Sequence, residues 1–245
     1  MHQSKSHSTN GAKSAQRLIV VARTAKTNVV SERIKITEIY ASVQGESTWA
    51  GLPCTFVRTT GCNLRCSWCD SAYSFYGGEW MSLDAILARV EELSPQLVEL
   101  TGGEPLLQPA VPELCGRLLK LGYTVLIETS GERPIEVLPA GVIRIMDLKC
   151  PDSGESRRNR LENIAQLNSR DEVKFVLASR GDYEWARQQV REHKLAERAN
   201  SVLFSVAFGK VKPVDVVDWI LADQLPVRFQ LQMHKFIWAP ETKGV

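Results

Sequence analysis

The chain has 245 residues, of which 44% are hydrophobic and 24% charged, with a formal net charge of +2. That length is enough to bury a substantial core in one domain. The near-neutral charge gives no case for a nucleic-acid partner, and no apolar run reaches the ~18 residues of a membrane span.

Residues 1–16 are polar and loose, and Leu18–Ala22 is apolar but too short for a secretory segment. Residues 1–30 are therefore expected to be a disordered N-terminal extension, and residues 31–245 the folded domain. Ile34, Ile36, Ile39 and Tyr40 predict a short strand that leads into Val43-Gln44-Gly45-Glu46. A second strand ends at Arg58. Ser82 suits the N-cap of a helix whose apolar stripe is Leu83, Ile86, Leu87, Val90 and Leu93. A strand at Leu97–Thr101 is cut by Gly102-Gly103, and a helix over 110–121 stops at Gly122. Further strands are expected at Tyr123–Thr129, Val142–Leu148, Glu172–Leu177, Val202–Ala207 and Arg228–Gln232. Helices are expected at about 158–168, 182–195 and 213–224. The 130–141 crossover, with Pro134, Pro139 and Gly141, has little room for one. Strands alternating with helices imply an α/β fold with a parallel sheet. Closed or nearly closed, that is a β/α barrel with its active site at the C-terminal ends of the strands.

Cys62, Cys66 and Cys69 stand in a C-x3-C-x2-C spacing directly after the second strand. Three thiolates so close in sequence can converge on one soft metal centre. A structural zinc site would want a fourth ligand to close it, and no local pair supplies one. Iron–sulfur clusters take Cys ligands, and three cysteines leave one iron of a cubane open to a small molecule. With Trp68 just before the third cysteine, the loop resembles the cluster loop of the radical S-adenosylmethionine (SAM) superfamily. Free thiols and an oxygen-sensitive cluster both point to a reducing cytoplasm.

Other motifs gather at the same predicted rim. In Thr101-Gly102-Gly103-Glu104-Pro105 the glycines bring backbone close to a ligand, and Glu104 can receive an ammonium group. Glu128-Thr129-Ser130-Gly131 and Asp147-Leu148-Lys149 offer hydroxyls, a carboxylate and an ammonium to a polar cofactor. Arg58 suits forked carboxylate recognition. Asp70-Ser71 offers oxygens to a hard cation such as Mg2+. His234 falls at an expected strand end and could face the site. Cys54, Cys115 and Cys150 read as buried small residues.

Val43-Gln44-Gly45-Glu46, Phe56-Val57-Arg58, Gly61-Cys62-Asn63-Leu64, Cys69-Asp70-Ser71 and Thr101–Pro105 together resemble the 7-carboxy-7-deazaguanine synthases, from about Ile34 to the C-terminus. The resemblance implies a partial (incomplete) β/α barrel of the radical SAM type, with abbreviated crossovers. It implies a [4Fe-4S] cluster on Cys62, Cys66 and Cys69, SAM as a cofactor, and Mg2+ at Ser71. It implies SAM contacts at Gly103, Glu104, Ser130, Asp147, Leu148 and Lys149. Substrate contacts fall at Val43, Gln44, Gly45, Glu46, Arg58 and Thr101. The reaction implied is ring contraction of 6-carboxy-5,6,7,8-tetrahydropterin to 7-carboxy-7-deazaguanine with loss of ammonia, in a homodimer served by a flavodoxin- or ferredoxin-type donor. Two positions depart from the common family pattern: Ser71 replaces Thr, and Asp147-Leu148-Lys149 replaces Ser-Pro-Lys. Two competing readings are another radical SAM enzyme, such as a glycyl-radical activase, and a non-enzymatic iron–sulfur electron carrier or metal-stabilised binding module. The first leaves Gln44-Gly45-Glu46 and Arg58 unexplained, and the second would use four cysteines.

Overall fold

The computed structural model describes residues 32–245; the expected disordered extension at 1–30 lies outside the described residues. The elements are β1 (Arg33–Val43), β2 (Pro53–Thr59), β3 (Glu79–Ser82), α1 (Leu83–Leu93), β4 (Leu97–Gly102), α2 (Val111–Lys120), β5 (Thr124–Thr129), β6 (Ile143–Asp147), β7 (Glu172–Leu177), α3 (Arg180–Glu192), α4 (Leu195–Arg198), β8 (Ser201–Val206), α5 (Pro213–Asp223), β9 (Arg228–Phe229) and α6 (His234–Ile237). The strands form one nine-stranded sheet in the order β3-β1-β2-β4-β5-β6-β7-β8-β9. From β2 to β9 every neighbouring pair is parallel, while β1 pairs antiparallel with both β2 and β3. The sheet does not close: β3 and β9 are its free edges.

Period-2 alternation sorts the strand residues onto two faces. Val57, Val98, Leu100, Val125, Ile127, Val173, Phe175, Val202 and Phe204 join the large core packed under the helices. That core also takes Ile86 and Val90 of α1, Leu114 and Leu118 of α2, Ala186 and Val190 of α3, and Val216 and Ile220 of α5. Cys54, Phe56, Leu97, Leu126, Ile143 and Ile145 form a second, smaller cluster on the opposite face. With α1, α2, α3 and α5 packed on one face, as an incomplete β/α barrel requires, the opposite face is left to build a site.

Local signals act as expected in several places. The Ser82 hydroxyl accepts from the Ala85 N–H at 3.2 Å to cap α1, and Gly122, with φ +89°, lies just past the end of α2. Cys54, Cys115 and Cys150 are buried.

Other expectations need correction. The sheet is not wholly parallel: β1 runs antiparallel to β2, and β3, missed between Gly77-Gly78 and Ser82, pairs antiparallel with β1. The 158–168 helix is replaced by 3-10 turns at Ser156–Arg158 and Leu161–Gln166. Within it Asn163 turns its side chain to the helix-less crossover, donating to the Gly131 and Arg133 carbonyls and accepting from the Ile135 N–H. The 182–195 helix starts earlier, at Arg180 under a Ser179 cap. It breaks at Lys194, whose φ is +49°. The strand expected through Gln232 stops at Phe229, because Gln230 and Gln232 turn to the loop after β1 instead.

That loop spans the open side of the sheet. Ser47 N–H donates to Gln230 Oε1 at 2.7 Å, Met233 N–H donates to the Gly45 carbonyl at 2.9 Å, and the Thr48 hydroxyl donates to Glu172 of β7. Loop contacts replace the strand pairing that would have closed the barrel. Among the described residues, no helix is long and apolar enough to cross a membrane.

Candidate active site

The C-terminal ends of the parallel strands and the sheet face opposite the large helices enclose a cavity of about 710 Å3. Cys62, Cys66 and Cys69 line it, together with Val43, Gln44, Gly45, Glu46, Arg58, Ser71, Thr101, Gly103, Ser130, Asp147 and Lys149. Residues more than a hundred positions apart thus share one wall system.

The cysteine loop is held from two sides. Its Ser67 N–H and hydroxyl donate to the Ser153 and Asp152 carbonyls at 3.0 and 2.8 Å. On the other side the Glu104 N–H donates to the Gly61 carbonyl at 2.9 Å. Here the glycines are needed by the protein itself. A Cβ on Gly103 would lie 2.2 Å from the Gly61 carbonyl oxygen, and one on Gly102 would lie 2.4 Å from that of Thr59. The Gly-Gly turn is therefore locked against the cysteine loop, which fixes the backbone that faces the cavity beside the cysteines.

The three thiols are free of disulfides and partly exposed. Among the described residues no cluster fits a single ion, and a cubane spreads its cysteines over different irons. Burial pushes the Cys62 thiol up, and Cys66 to about 11, so thiolates here need the compensating charge that bound iron supplies. The donor set fits a cluster. Asp147 carries a buried Oδ1 with no hydrogen-bond partner, while its Oδ2 accepts from Lys149 Nζ at 2.8 Å. An orphaned carboxylate oxygen on the same wall fits a hydroxyl- or amine-bearing cofactor.

Of the expected SAM contacts, Glu104 is corrected and Leu148 is narrowed to its backbone. The Glu104 carboxylate is fully buried and accepts from the Thr129 hydroxyl (2.8 Å), the Ser130 N–H (2.8 Å) and hydroxyl (2.7 Å), and the Leu106 N–H (3.0 Å). It has no role left as an ammonium receiver; it ties the end of β4 to the end of β5. The Leu148 side chain points into the helix-side core, so only its backbone can face the cavity.

Arg58 is half engaged. Its Nε donates to Glu38 Oε1 at 2.8 Å and its Nη2 to the Tyr40 hydroxyl at 3.0 Å. Among the described residues no hydrogen bond takes up Nη1, and Arg58 lines the cavity. Ser71 makes no helix-capping bond; its Oγ sits 3.8 Å from Cys69 Sγ. Gln44 is buried, accepts from the Glu46 N–H at 2.7 Å and donates to Glu99 Oε2.

Sequence reasoning missed the residue at the centre. Lys174 of β7, buried, pairs with Glu46 at 2.8 Å, with Glu128, and with Asp147 at 3.9 Å. Its alternation on β7 was the available signal: Glu172, Lys174 and Val176 share one face. Burial alone would lower its pKa, but Glu128 and Glu46 outweigh that and hold it well above the usual lysine value. Burial likewise raises Glu46, yet the Lys174 ammonium and the Gln232 amide hold it below the carboxylate range. Glu99 goes the other way: burial and the Glu128 carboxylate push it well above.

His234 lies in the first turn of α6, not at a strand end. It packs on Gly45, where a Cβ would lie 2.5 Å from its Nδ1, and lines the cavity. Burial lowers its pKa, favouring the neutral ring. The tail from Pro240 to Val245 also lines the cavity, and nothing in its composition signalled this.

Residues 56–146 match the model of the radical SAM superfamily. A 7-carboxy-7-deazaguanine synthase of Koribacter versatilis is 54% identical over 227 residues, covering 86% of this chain and 100% of the relative. One of Chlorobaculum tepidum is 41% identical over 215 residues, covering 86% of this chain and 97% of the relative. Among solved structures, QueE from Escherichia coli superposes with a TM-score of 0.64 at 20% identity, covering 82% of this chain and 95% of that one, so the fold is shared. On the cysteine loop, the Gly-Gly turn and full-length identity of this order, the chain belongs to the 7-carboxy-7-deazaguanine synthase family of the radical SAM superfamily.

Proposed function

We propose that the chain contracts the ring of 6-carboxy-5,6,7,8-tetrahydropterin to 7-carboxy-7-deazaguanine, releasing ammonia, in 7-deazapurine biosynthesis. The full-length identity to the Koribacter versatilis synthase carries the reading, and the single cavity that joins the cysteine loop to Gln44, Glu46 and Arg58 supports it. The conversion is redox-neutral: product plus ammonia balances the substrate.

The bound cluster and SAM supply the electron and the hydrogen-abstracting group, chemistry the side chains lack. Cys62, Cys66 and Cys69 would hold the cluster. Gly103, Ser130, Asp147, Lys149 and the Leu148 backbone would hold SAM. The remaining wall does the positioning. Arg58 Nη1 receives the substrate carboxylate, and Glu46, fixed by Lys174 and Gln232, lines the same cavity from the β1 loop. Gln44, Gly45, Val43 and Thr101 complete the pterin wall. The Ser71 hydroxyl would offer a hard oxygen to Mg2+, which would supply positive charge beside the substrate. Family resemblance further supports a homodimer, a flavodoxin- or ferredoxin-type reductant and residence in a reducing cytoplasm.

The test is an anaerobic assay with reconstituted cluster, SAM, Mg2+, reductant and the tetrahydropterin, read by mass spectrometry. A product lighter than the substrate by one ammonia is expected. Deoxyadenosine without that product would overturn the substrate assignment and leave another radical SAM activity.

A further inference from the structure

Glu99 is a charged residue type in the middle of a buried parallel strand, on the floor of the cavity. It is 2% exposed. Its Oε2 accepts from Gln44 Nε2, and among the described residues no hydrogen bond reaches its Oε1. That oxygen is not itself fully buried: it opens onto the cavity, where a ligand donor can meet it.

The surroundings say what kind of ligand. Glu99 is in register with Phe56 on β2 and Leu126 on β5. Phe56 stacks on Tyr40, with ring centroids 5.1 Å apart and an interplanar angle of 15°, and both rings line the cavity. A flat ring system suits that wall. Arg58 and Thr101 pair in the next inward-facing row. Two residues of strand rise put Glu99 roughly 6.6 Å deeper than that row, a span comparable with the long axis of a fused two-ring heterocycle.

We propose that Glu99 reads the pyrimidine edge of the pterin, its Oε1 accepting from the exocyclic amino group while Oε2 keeps its bond from Gln44. This rests on the pterin reading above and assigns the buried end of the same site. The ligand N–H favours the ionised carboxyl, offsetting the burial and the Glu128 repulsion. Two donors, the Gln44 amide and the ligand amine, then meet two acceptor oxygens. A glutamine at position 99 has one acceptor for the two donors, yet it still accepts from Gln44. E99Q therefore separates recognition from merely holding the loop.

The probes are 6-carboxypterin and 6-carboxylumazine, in which an oxo group replaces the 2-amino donor. Binding is measured by fluorescence titration of the cluster-loaded enzyme with SAM. The wild type is expected to prefer the pterin by about tenfold to a hundredfold, the scale of a hydrogen bond to a charged group. E99Q is expected to lose that preference while keeping its melting temperature and SAM affinity. A wild type that binds both probes equally, or an E99Q that keeps the preference, overturns the assignment. The wild-type comparison needs no variant to fold. Failure of the pterin reading is distinguished by the turnover assay: an enzyme that makes the deazapurine but ignores the 2-amino group refutes Glu99 alone.

Discussion

Lys174 Nζ lies 2.8 Å from Glu46 Oε2, joining β7 to the loop after β1 across the open side of the barrel. The same ammonium pairs with Glu128 and stands 3.9 Å from Asp147. One buried charge thus holds a residue of the proposed substrate wall and a residue of the proposed SAM wall.

Lys174→Met should therefore leave the Glu46 and Glu128 carboxylates without their cation, while Asp147 keeps Lys149. Breaking a buried pair from one side costs about 3–5 kcal/mol. We expect a loss of that order in chemical denaturation, together with weaker binding of both SAM and substrate in titrations. A variant of native stability that loses only one of the two affinities would contradict the shared role.

The Glu104 carboxylate, buried under four hydrogen bonds, makes a different demand. Glu104→Ala leaves the Ser130 N–H and the Thr129 and Ser130 hydroxyls without their acceptor, and each buried donor left unsatisfied costs about 1–3 kcal/mol. The melting temperature should drop sharply, and SAM affinity should fall because the Gly103 turn loses its anchor. Glu104→Gln keeps one acceptor and should lose less of both. Equal stability but abolished SAM binding in Glu104→Gln would restore a direct contact with the cofactor.

Much of this site was legible before any coordinates. The cysteine spacing, the Gly-Gly turn and the run from Val43 to Glu46 are contiguous motifs, and they occupy one cavity. Lys174, Glu99 and His234 were harder, because each is a single residue whose meaning depends on which strand face it occupies or on a turn 190 residues from Gln44. Glu104 shows the opposite error. An acidic residue beside a cofactor motif reads as a ligand, while its hydrogen bonds come from Thr129 and Ser130 on the neighbouring strand end. The 158–168 segment misleads for a similar reason: Asn163 serves a crossover that periodicity does not see.

Arg58 divides its guanidinium between Glu38, Tyr40 and the cavity. Arg58→Lys keeps a charge but loses the fork. Substrate affinity should fall by about tenfold or more, the scale of one charge-assisted hydrogen bond, with SAM affinity close to wild type. Parallel titrations of the two ligands check this, and an equal loss of both would contradict a role at the substrate carboxylate.

The last prediction concerns Glu172, fully buried on β7 beneath the Thr48 loop. Burial raises its pKa against the hydrogen bonds from Thr48, which lower it, and the net direction is upward. A carboxyl whose folded pKa exceeds its unfolded value, about 4.3, binds protons more tightly in the folded state. Its stabilising contribution is therefore complete below that unfolded value and is lost as pH rises through the folded one. Glu172→Gln keeps an acceptor for Thr48 and removes the titration. Denaturant melts of wild type and variant at pH 5 and pH 8 should show the variant gaining relative stability at the higher pH. A stability difference that stays flat across that window would mean that Glu172 keeps an ordinary pKa, with the Thr48 hydrogen bonds cancelling the cost of burial.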